Sequence, residues 1–229
     1  MQRALLEALQ AARAAGRPVA RVTPLDGGAQ QLLGGEDLQG VLPALADAVR
    51  SALATDRAVL LSESGVECLV APWNPPLRLV VVGAVHIAES LCHMAHLAGY
   101  AVTVIDPRTA FLRAELFPAV ALVGDWPQQA FASLHPDART AVVLLTHDPK
   151  IDDPALECVL RSPVFYIGAL GSTRTHARRL ERLGALGYTP VELARIHGPA
   201  GLAIGARTPA EIAVSVLAQM TQALRRGPA

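Results

Sequence analysis

Aliphatic runs alternate with helical stripes over most of this chain, and the clearest case lies between Arg78 and Asp106. Leu79 to Val82 are all aliphatic, Gly83 stops them, and Ile87, Leu91, Met94 and Ala98 then recur at helical spacing until Gly99. A second β-rich run, Ala101 to Ile105, finishes on Asp106. Strand, glycine turn, helix, strand and terminal acid predict half of a nucleotide-binding βαβ unit. In such a unit the helix N-terminus meets phosphate and the acid accepts ribose hydroxyls. Downstream, Ala119–Val123, Ala141–Leu145 and Val164–Ile167 predict three more short strands, apolar enough to be covered on both faces. The segment ending near Leu134 has little pattern. Asp153 and Pro154 predict a helix start, an N-cap followed by proline at the first helical position. Another helix follows Ser172 with Leu180, Leu183 and Leu186. Thr208, Pro209 and Glu211 form a capping box for a last helix, whose Ile212, Val216, Leu217, Met220 and Leu224 are expected on the sheet. Arg225 to Ala229 are expected to fray.

The first third has a different pattern. Leu5, Leu6, Leu9 and Ala12 stripe a helix that Gly16 to Pro18 end, and Val19–Val22 and Gln30–Leu33 predict short strands. Leu38–Leu53 predicts a second helix through Leu42, Leu45, Val49 and Leu53, after which Val59–Leu61 and Glu67–Ala71 are expected to pair around Ser64 and Gly65. Pro72, Pro75 and Pro76 suit a stiff connector. The expected architecture is therefore α/β: a small α+β module over 1–75, then a Rossmann-like parallel-sheet domain over 76–229.

Composition narrows the function classes. At 229 residues and 24.0 kDa the chain is long enough for that division. Twenty Lys plus Arg against twenty Asp plus Glu give no net charge, so nothing steers the whole molecule to nucleic acid or an anionic membrane. Cys68, Cys92 and Cys158 are scattered and include no CxxC, which argues against a disulfide framework or thiolate zinc site and fits a reducing cytoplasm. No apolar run is long enough to predict a spanning helix, and the N-terminal segment lacks the apolar core of a secretory signal.

The candidate chemistry sits in loops that follow strands. The first turn is an imperfect GxGxxG, reading Gly83, Val85 and Ala88, and a branched Val85 weakens a standard pyrophosphate mode. THDPKIDD supplies Thr146, His147, Asp148, Lys150, Asp152 and Asp153. His147 suits proton exchange near neutral pH, with Asp148 or Asp152 to orient it or hold a cation. The structural alternative is a turn with helix caps at Asp152 and Asp153, which would leave Asp148 for function. A second glycine loop, Gly168, Gly171, Ser172, Thr173 and Arg174, offers backbone N–H groups, hydroxyls and a guanidinium to an oxyanion. Its alternative is a tight turn. Ala194–Ala213 lacks clean periodicity and holds Arg195, His197, Gly198, Gly201, Gly205, Arg207 and Glu211, a length unusual for a connection that binds nothing. His93 and His96 share one helix side, where zinc would need further ligands that no spacing supplies, so they predict a solvated face.

GALGSTRTHARR, RIHGPAGLAIGARTPAEIAVSVLAQM, LTHDPKIDDPAL and VVGAVHIAESL with VIDPR together resemble the XdhC/CoxI family of accessory proteins for molybdenum hydroxylases, from about Pro76 to Met220. The resemblance implies a Rossmann-like factor that binds molybdenum cofactor (molybdopterin, or its dinucleotide form) and protects it. It further implies support of sulfuration by a cysteine desulfurase and delivery to a xanthine dehydrogenase-type apoenzyme. A homodimer and no turnover chemistry of its own go with it. Gly83 and His86 match the family's GAGH turn, Asp106 and Arg108 its DPR, and His147, Asp148 and Lys150 its THD and lysine. Gly168, Gly171, Ser172 and Arg174 match its GALGSRR loop, while His197, Gly198, Gly201, Gly205, Arg207 and Glu211 match IHGP, GLxIGA and TPxEIA. Neither catalytic residue nor metal ligand is implied. Two departures stand out: Val85 replaces a glycine, and no cysteine precedes Cys68, as if the N-terminal module were shortened. An NAD(P)-dependent oxidoreductase built on the βαβ unit and Asp106 is the alternative, and a noncatalytic recruiting scaffold a third reading.

Overall fold

A computed structural model describes residues 3–35, 37–63 and 65–226, in two units, Met1–Pro75 and Pro76–Ala229. The first unit contains α1 (Arg3–Ala14), β1 (Val19–Pro24), β2 (Gln31–Gly34), α2 (Pro43–Thr55), β3 (Val59–Glu63) and β4 (Val66–Trp73). Its sheet has the order β2-β1-β4-β3 with every pair antiparallel. Ala20, Val22, Val49, Ala52, Cys68 and Val70 form the buried centre between α2 and the sheet. Two expectations shift. Helix α2 starts at Pro43 instead of Leu38, because a residue before proline disfavours helical backbone; Leu42 is the extended N-cap and stays exposed. Pro72 lies inside β4, opposite Ala20 and beyond Val70, where pairing with β3 ends, an edge position at which proline is tolerated. Glu63 and Val66 are opposite each other in the hairpin register, and Ser64 lies outside the described residues.

The second unit contains β5 (Arg78–Val82), α3 (His86–Leu97), β6 (Ala101–Ile105), β7 (Ala121–Val123), α4 (Pro127–Leu134), β8 (Thr140–Leu144), α5 (Pro149–Val159), β9 (Tyr166–Ala169), α6 (Thr173–Ala185), α7 (Pro190–Leu193), β10 (Ile196–His197) and α8 (Pro209–Arg226). Its six strands are parallel in the order β10-β9-β8-β5-β6-β7, the α/β architecture the apolar runs predict. The pleat explains those runs. Leu79, Val81, Ala141 and Val143 point to a cluster with α3 and α8, whereas Val80, Val82, Val142 and Leu144 point to one with α5 and α6. From β5 the chain proceeds outward to β6 and β7, then returns to β8 on the other side, so the strand order reverses between β5 and β8. Among the described residues no helix is long and apolar enough to cross a membrane.

Several elements differ from the sequence reading. The strand expected from Ala119 begins at Ala121, since Ala119 adopts a positive φ of 60°. The poorly patterned stretch before Leu134 is α4, opened by Pro127 at its first turn. The strand expected over Val164–Ile167 runs from Tyr166 to Ala169, because Arg195 Nη2 donates to the Val164 carbonyl at 2.8 Å and takes it out of the ladder. Arg225 and Arg226 continue α8, while Gly227 to Ala229 lie outside the described residues.

Cys92 lies under α3 with its thiol pushed up to about 12 by burial. Reactivity needs thiolate. Iodoacetamide at pH 8 should therefore leave Cys92 unmodified in the native protein and label it after denaturation, as read by peptide mass spectrometry. Native labelling at Cys92 would contradict this packing.

Candidate functional site

Every loop singled out in the sequence leaves the carboxyl edge of the six-stranded sheet, and side-chain contacts link them in one continuous series. At the reversal between β5 and β8, Gly83 has φ +111°, and a Cβ there would lie 2.7 Å from Thr146 Cγ2 and 3.1 Å from the Thr146 nitrogen. Only glycine lets the two strand ends approach this closely. Val85 is the N-cap of α3 and makes no side-chain capping bond, so the first N–H groups of this helix lack that partner. Its side chain is half-buried and packs against the cluster beneath α3. His86, next in line, is exposed.

Asp106 corrects an expectation. It is fully buried: Oδ2 accepts from the Ala84 N–H and Arg108 Nη2, each at 2.9 Å, and Oδ1 accepts from the Arg108 N–H and Nε, each at 3.0 Å. With four donors on it, this carboxylate braces the loop and is not a free acceptor for a ribose. Burial pushes the Asp106 carboxyl up, but the Arg108 guanidinium and two backbone N–H groups outweigh that and hold it below its usual value. Arg108 is the partner that reaches the surface, lying over the Phe111 ring at 4.7 Å. Its guanidinium is held charged first by the Asp106 bond and then by Asp148 and Asp152 at the start of α5.

The THD loop also differs from expectation. Helix α5 starts at Pro149 with Asp148 as its N-cap, the carboxylate accepting from the Lys150 N–H at 2.9 Å; Asp153 and Pro154 lie inside the helix. The cap is therefore Asp148, not Asp152 or Asp153 as the sequence alternative expects. Thr146 Oγ1 donates to Asp152 Oδ1 at 2.6 Å and accepts from the Asp148 N–H at 3.1 Å. Asp152 and Arg179 are each 2% exposed, with Nη2 and Oδ2 3.6 Å apart. Burial raises the Asp152 carboxyl in spite of Thr146 and Arg179. His147 is exposed and adopts φ 60°.

Arg179 carries the series to the second glycine loop, donating from Nη2 to the Leu170 carbonyl at 3.0 Å. There Gly168 abuts the Tyr166 ring, 2.7 Å from a Cβ placed on it, and Gly171 has φ +137°. Ser172 caps α6 by accepting from the Thr175 N–H at 3.1 Å, and Arg174 is exposed in the first turn. From α6, the His176 imidazole fills the space where a side chain at Gly198 would go. Burial lowers the His176 imidazole, with Arg179 adding, and burial alone lowers His197, which favours the neutral ring in each. His197 stacks on Tyr166 at 4.8 Å and 16°. The Tyr166 hydroxyl donates to Gln219 Oε1 at 2.7 Å, which also accepts from the Gly201 N–H at 2.8 Å.

Asp106, Gly83, Asp148, Gly168, Gly171, Ser172, His197 and Gly198 thus lie on connected loops, with Arg108 tied in. Lys150, Arg174 and Arg207 are exposed and form no side-chain hydrogen bond or ion pair among the described residues, and Gly205 is exposed with φ 79°. The Arg207 N–H instead joins the cap of α8, donating to Glu211 Oε2 at 2.8 Å. His93 and His96 are exposed, and no group of three or more possible metal ligands occurs among the described residues. Sequence reasoning missed Tyr166, His176, Arg179 and Gln219. Thr175, Arg179 and Arg182 recur at helical spacing, which was the available signal for one loaded face of α6.

The model of the XdhC Rossmann domain matches residues 79–220. The molybdenum cofactor insertion chaperone PaoD of Escherichia coli is 34% identical over 148 residues, 65% of this chain and 40% of that protein. A probable xanthine dehydrogenase subunit of Bacillus subtilis is 34% identical over 154 residues, 67% of this chain and 44% of that protein. An uncharacterized Escherichia coli protein, YqeB, is 33% identical over 151 residues, 66% of this chain and 28% of its own length. The chain spans less than half the length of these curated relatives. The crystal structure of a xanthine dehydrogenase from Bacillus halodurans shares the fold with a TM-score of 0.73 at 23% identity, covering 96% of this chain and 64% of that one.

Proposed function

The chain belongs to the XdhC Rossmann-domain family, and from that membership we propose that it is a maturation factor that binds molybdenum cofactor and passes it to a xanthine dehydrogenase-type apoenzyme, with sulfuration by a cysteine desulfurase as part of the same handover. The observation that carries the reading is the unbroken series of contacts from Asp106 to Gly198 along the carboxyl rim, centred where the strand order reverses. Ligands of open parallel sheets occupy that position. The donor set suits a phosphorylated pterin. Helix α3 has no side-chain cap at its N-terminus, Arg174 at the start of α6 has no side-chain partner among the described residues, and Arg108 is held in place by a buried carboxylate. In this reading the α3 turn or the Gly171 loop receives the phosphate, Arg174 adds a charge-assisted bond, and His147 and His197 lie toward the metal end, His197 presenting a neutral ring that accepts or donates one proton. The cofactor itself supplies the molybdenum centre that the apoenzyme needs. The NAD(P) reading loses its ribose acceptor, since Asp106 is already saturated.

Arg174→Ala removes a charged donor from an exposed turn. Cofactor affinity should fall about ten- to a hundredfold, equivalent to about 1.5–3 kcal/mol, measured by equilibrium binding of molybdopterin cofactor to the purified chain. Unfolding free energy should change by less than about 0.5 kcal/mol. Unchanged cofactor affinity would reject the assignment, and a selective loss of NADPH binding would move the dehydrogenase reading ahead.

A further inference from the structure

A cleft of about 160 Å³ opens between the first turn of α5 and the face of α6, lined by His147, Pro149, Asp152, Thr175, Arg178, Arg179 and Arg182. Gly83 is not among its lining residues, and its volume is well beyond the ~10–15 Å³ that one water needs. Its charge is unbalanced. Arg182 is neutralised by Asp153 through bonds of 2.6 and 2.9 Å, and Asp152 faces Arg179, but Arg178 has no side-chain hydrogen bond or ion pair among the described residues. Arg179 is the telling group. Although only 2% exposed, it has a partner for Nη2 alone, the Leu170 carbonyl, while Nε and Nη1 have no hydrogen-bond partner. Buried guanidinium donors left without acceptors cost free energy; Asp152 offsets the charge of Arg179 as an ion pair at 3.6 Å from Nη2, while Nε and Nη1 stay without an acceptor. What completes this arrangement is an acceptor with several oxygens and a negative charge.

We propose that the cleft between α5 and α6 is an oxyanion site for a phosphate-class group, held by the Arg179 donors, with Arg178 and the Thr175 hydroxyl at its sides and the N-terminal turn of α6 adding positive potential. A tetrahedral oxyanion supplies acceptors in the directions a guanidinium needs, and Arg is the residue that binds such groups through two parallel bonds. The repulsion from Asp152 is limited by its contacts with Thr146 and Arg179. This inference stands whether or not the ligand of the rim is molybdenum cofactor.

The test is calorimetric titration of the full chain with inorganic phosphate, alongside Arg178→Ala and Arg179→Lys. The wild type should bind one phosphate and show a melting temperature that rises with phosphate concentration. Each variant should weaken binding about tenfold or more, because lysine keeps the charge at 179 but loses the fork. Arg178 is exposed, so Arg178→Ala reports even where a change at buried Arg179 prevents folding. No phosphate binding by the wild type, or wild-type affinity in Arg178→Ala, overturns the proposal. Titrating cofactor with and without phosphate identifies the source. Competition assigns the site to the phosphate of the cofactor, and independent binding assigns it to free phosphate.

Discussion

Gly83→Ala is expected to destabilise the parallel-sheet unit by about 3–5 kcal/mol, combining strain and overpacking. The backbone at this position has φ +111°, which a residue with a Cβ rarely adopts, and the added methyl would lie 2.7 Å from Thr146 Cγ2 and 3.1 Å from the Thr146 nitrogen. Thr146 cannot withdraw at low cost. The preceding Leu145 N–H is fixed to the Val82 carbonyl at 2.8 Å, and the Thr146 hydroxyl is bonded to Asp152. Against a typical total of about 5–15 kcal/mol, a loss of this size leaves a large unfolded fraction at modest denaturant. Urea unfolding followed by far-ultraviolet circular dichroism measures it. A midpoint indistinguishable from the wild type would mean that β5 and β8 have room the close approach denies them.

Asp106→Asn should cost about 1–3 kcal/mol at neutral pH, as expected when a buried acceptor is taken from its donors while Arg108 still reaches solvent. Four donors converge on the carboxylate, and an amide turns one acceptor into a fifth donor. The pH dependence distinguishes the cause. The folded-state carboxyl is held below its usual value, so its contribution is complete above the unfolded value of about 4 and is lost as pH falls through the lower folded value. Asp152 acts in the opposite sense: burial raises its carboxyl, so stability from that group falls as pH rises from about 4 through the folded value. Unfolding free energies across the acidic range should therefore show a shallower loss toward low pH in Asp106→Asn than in the wild type. Parallel acid limbs would show that Asp106 carries no such linkage.

How far the chain could be interpreted before folding depended on the range of the interactions. The runs at Leu79–Val82 and Ala141–Leu145 were legible because a strand buried on both faces needs aliphatics at every position, and the turn at Thr208–Glu211 because a capping box is local. The start of α5 was misplaced because Asp148-Pro149 and Asp153-Pro154 carry the same signal. Ile151, Ala155, Leu156 and Val159 all face the core, and that spacing, beginning before Asp153, selects the earlier pair. The fate of Asp106 was not legible. Nothing in VIDPR shows that Arg108 folds back on it and not outward to a ligand. Likewise, Arg179 meets Asp152 only because α5 and α6 pack side by side, a distance fixed by the sheet and invisible along the chain. Gly198 was singled out as part of a binding loop, and its missing side chain is what makes room for His176.

Helix α8 follows all six strands in the chain, yet Ala213, Val216 and Met220 are fully buried in the cluster beside α3, and Gln219 accepts from both Tyr166 and Gly201. During synthesis, chain elements emerge from the ribosome in order. The sheet can thus pair and receive α3 before α8 exists, leaving the part of that face beside α3 wet and the Tyr166 hydroxyl without its acceptor. The rim that carries His197 is set in place last, when α8 docks. Folding of this unit is therefore completed from its C-terminal end, and a ligand that needs the stacked His197 ring meets its site only after translation has passed residue 220.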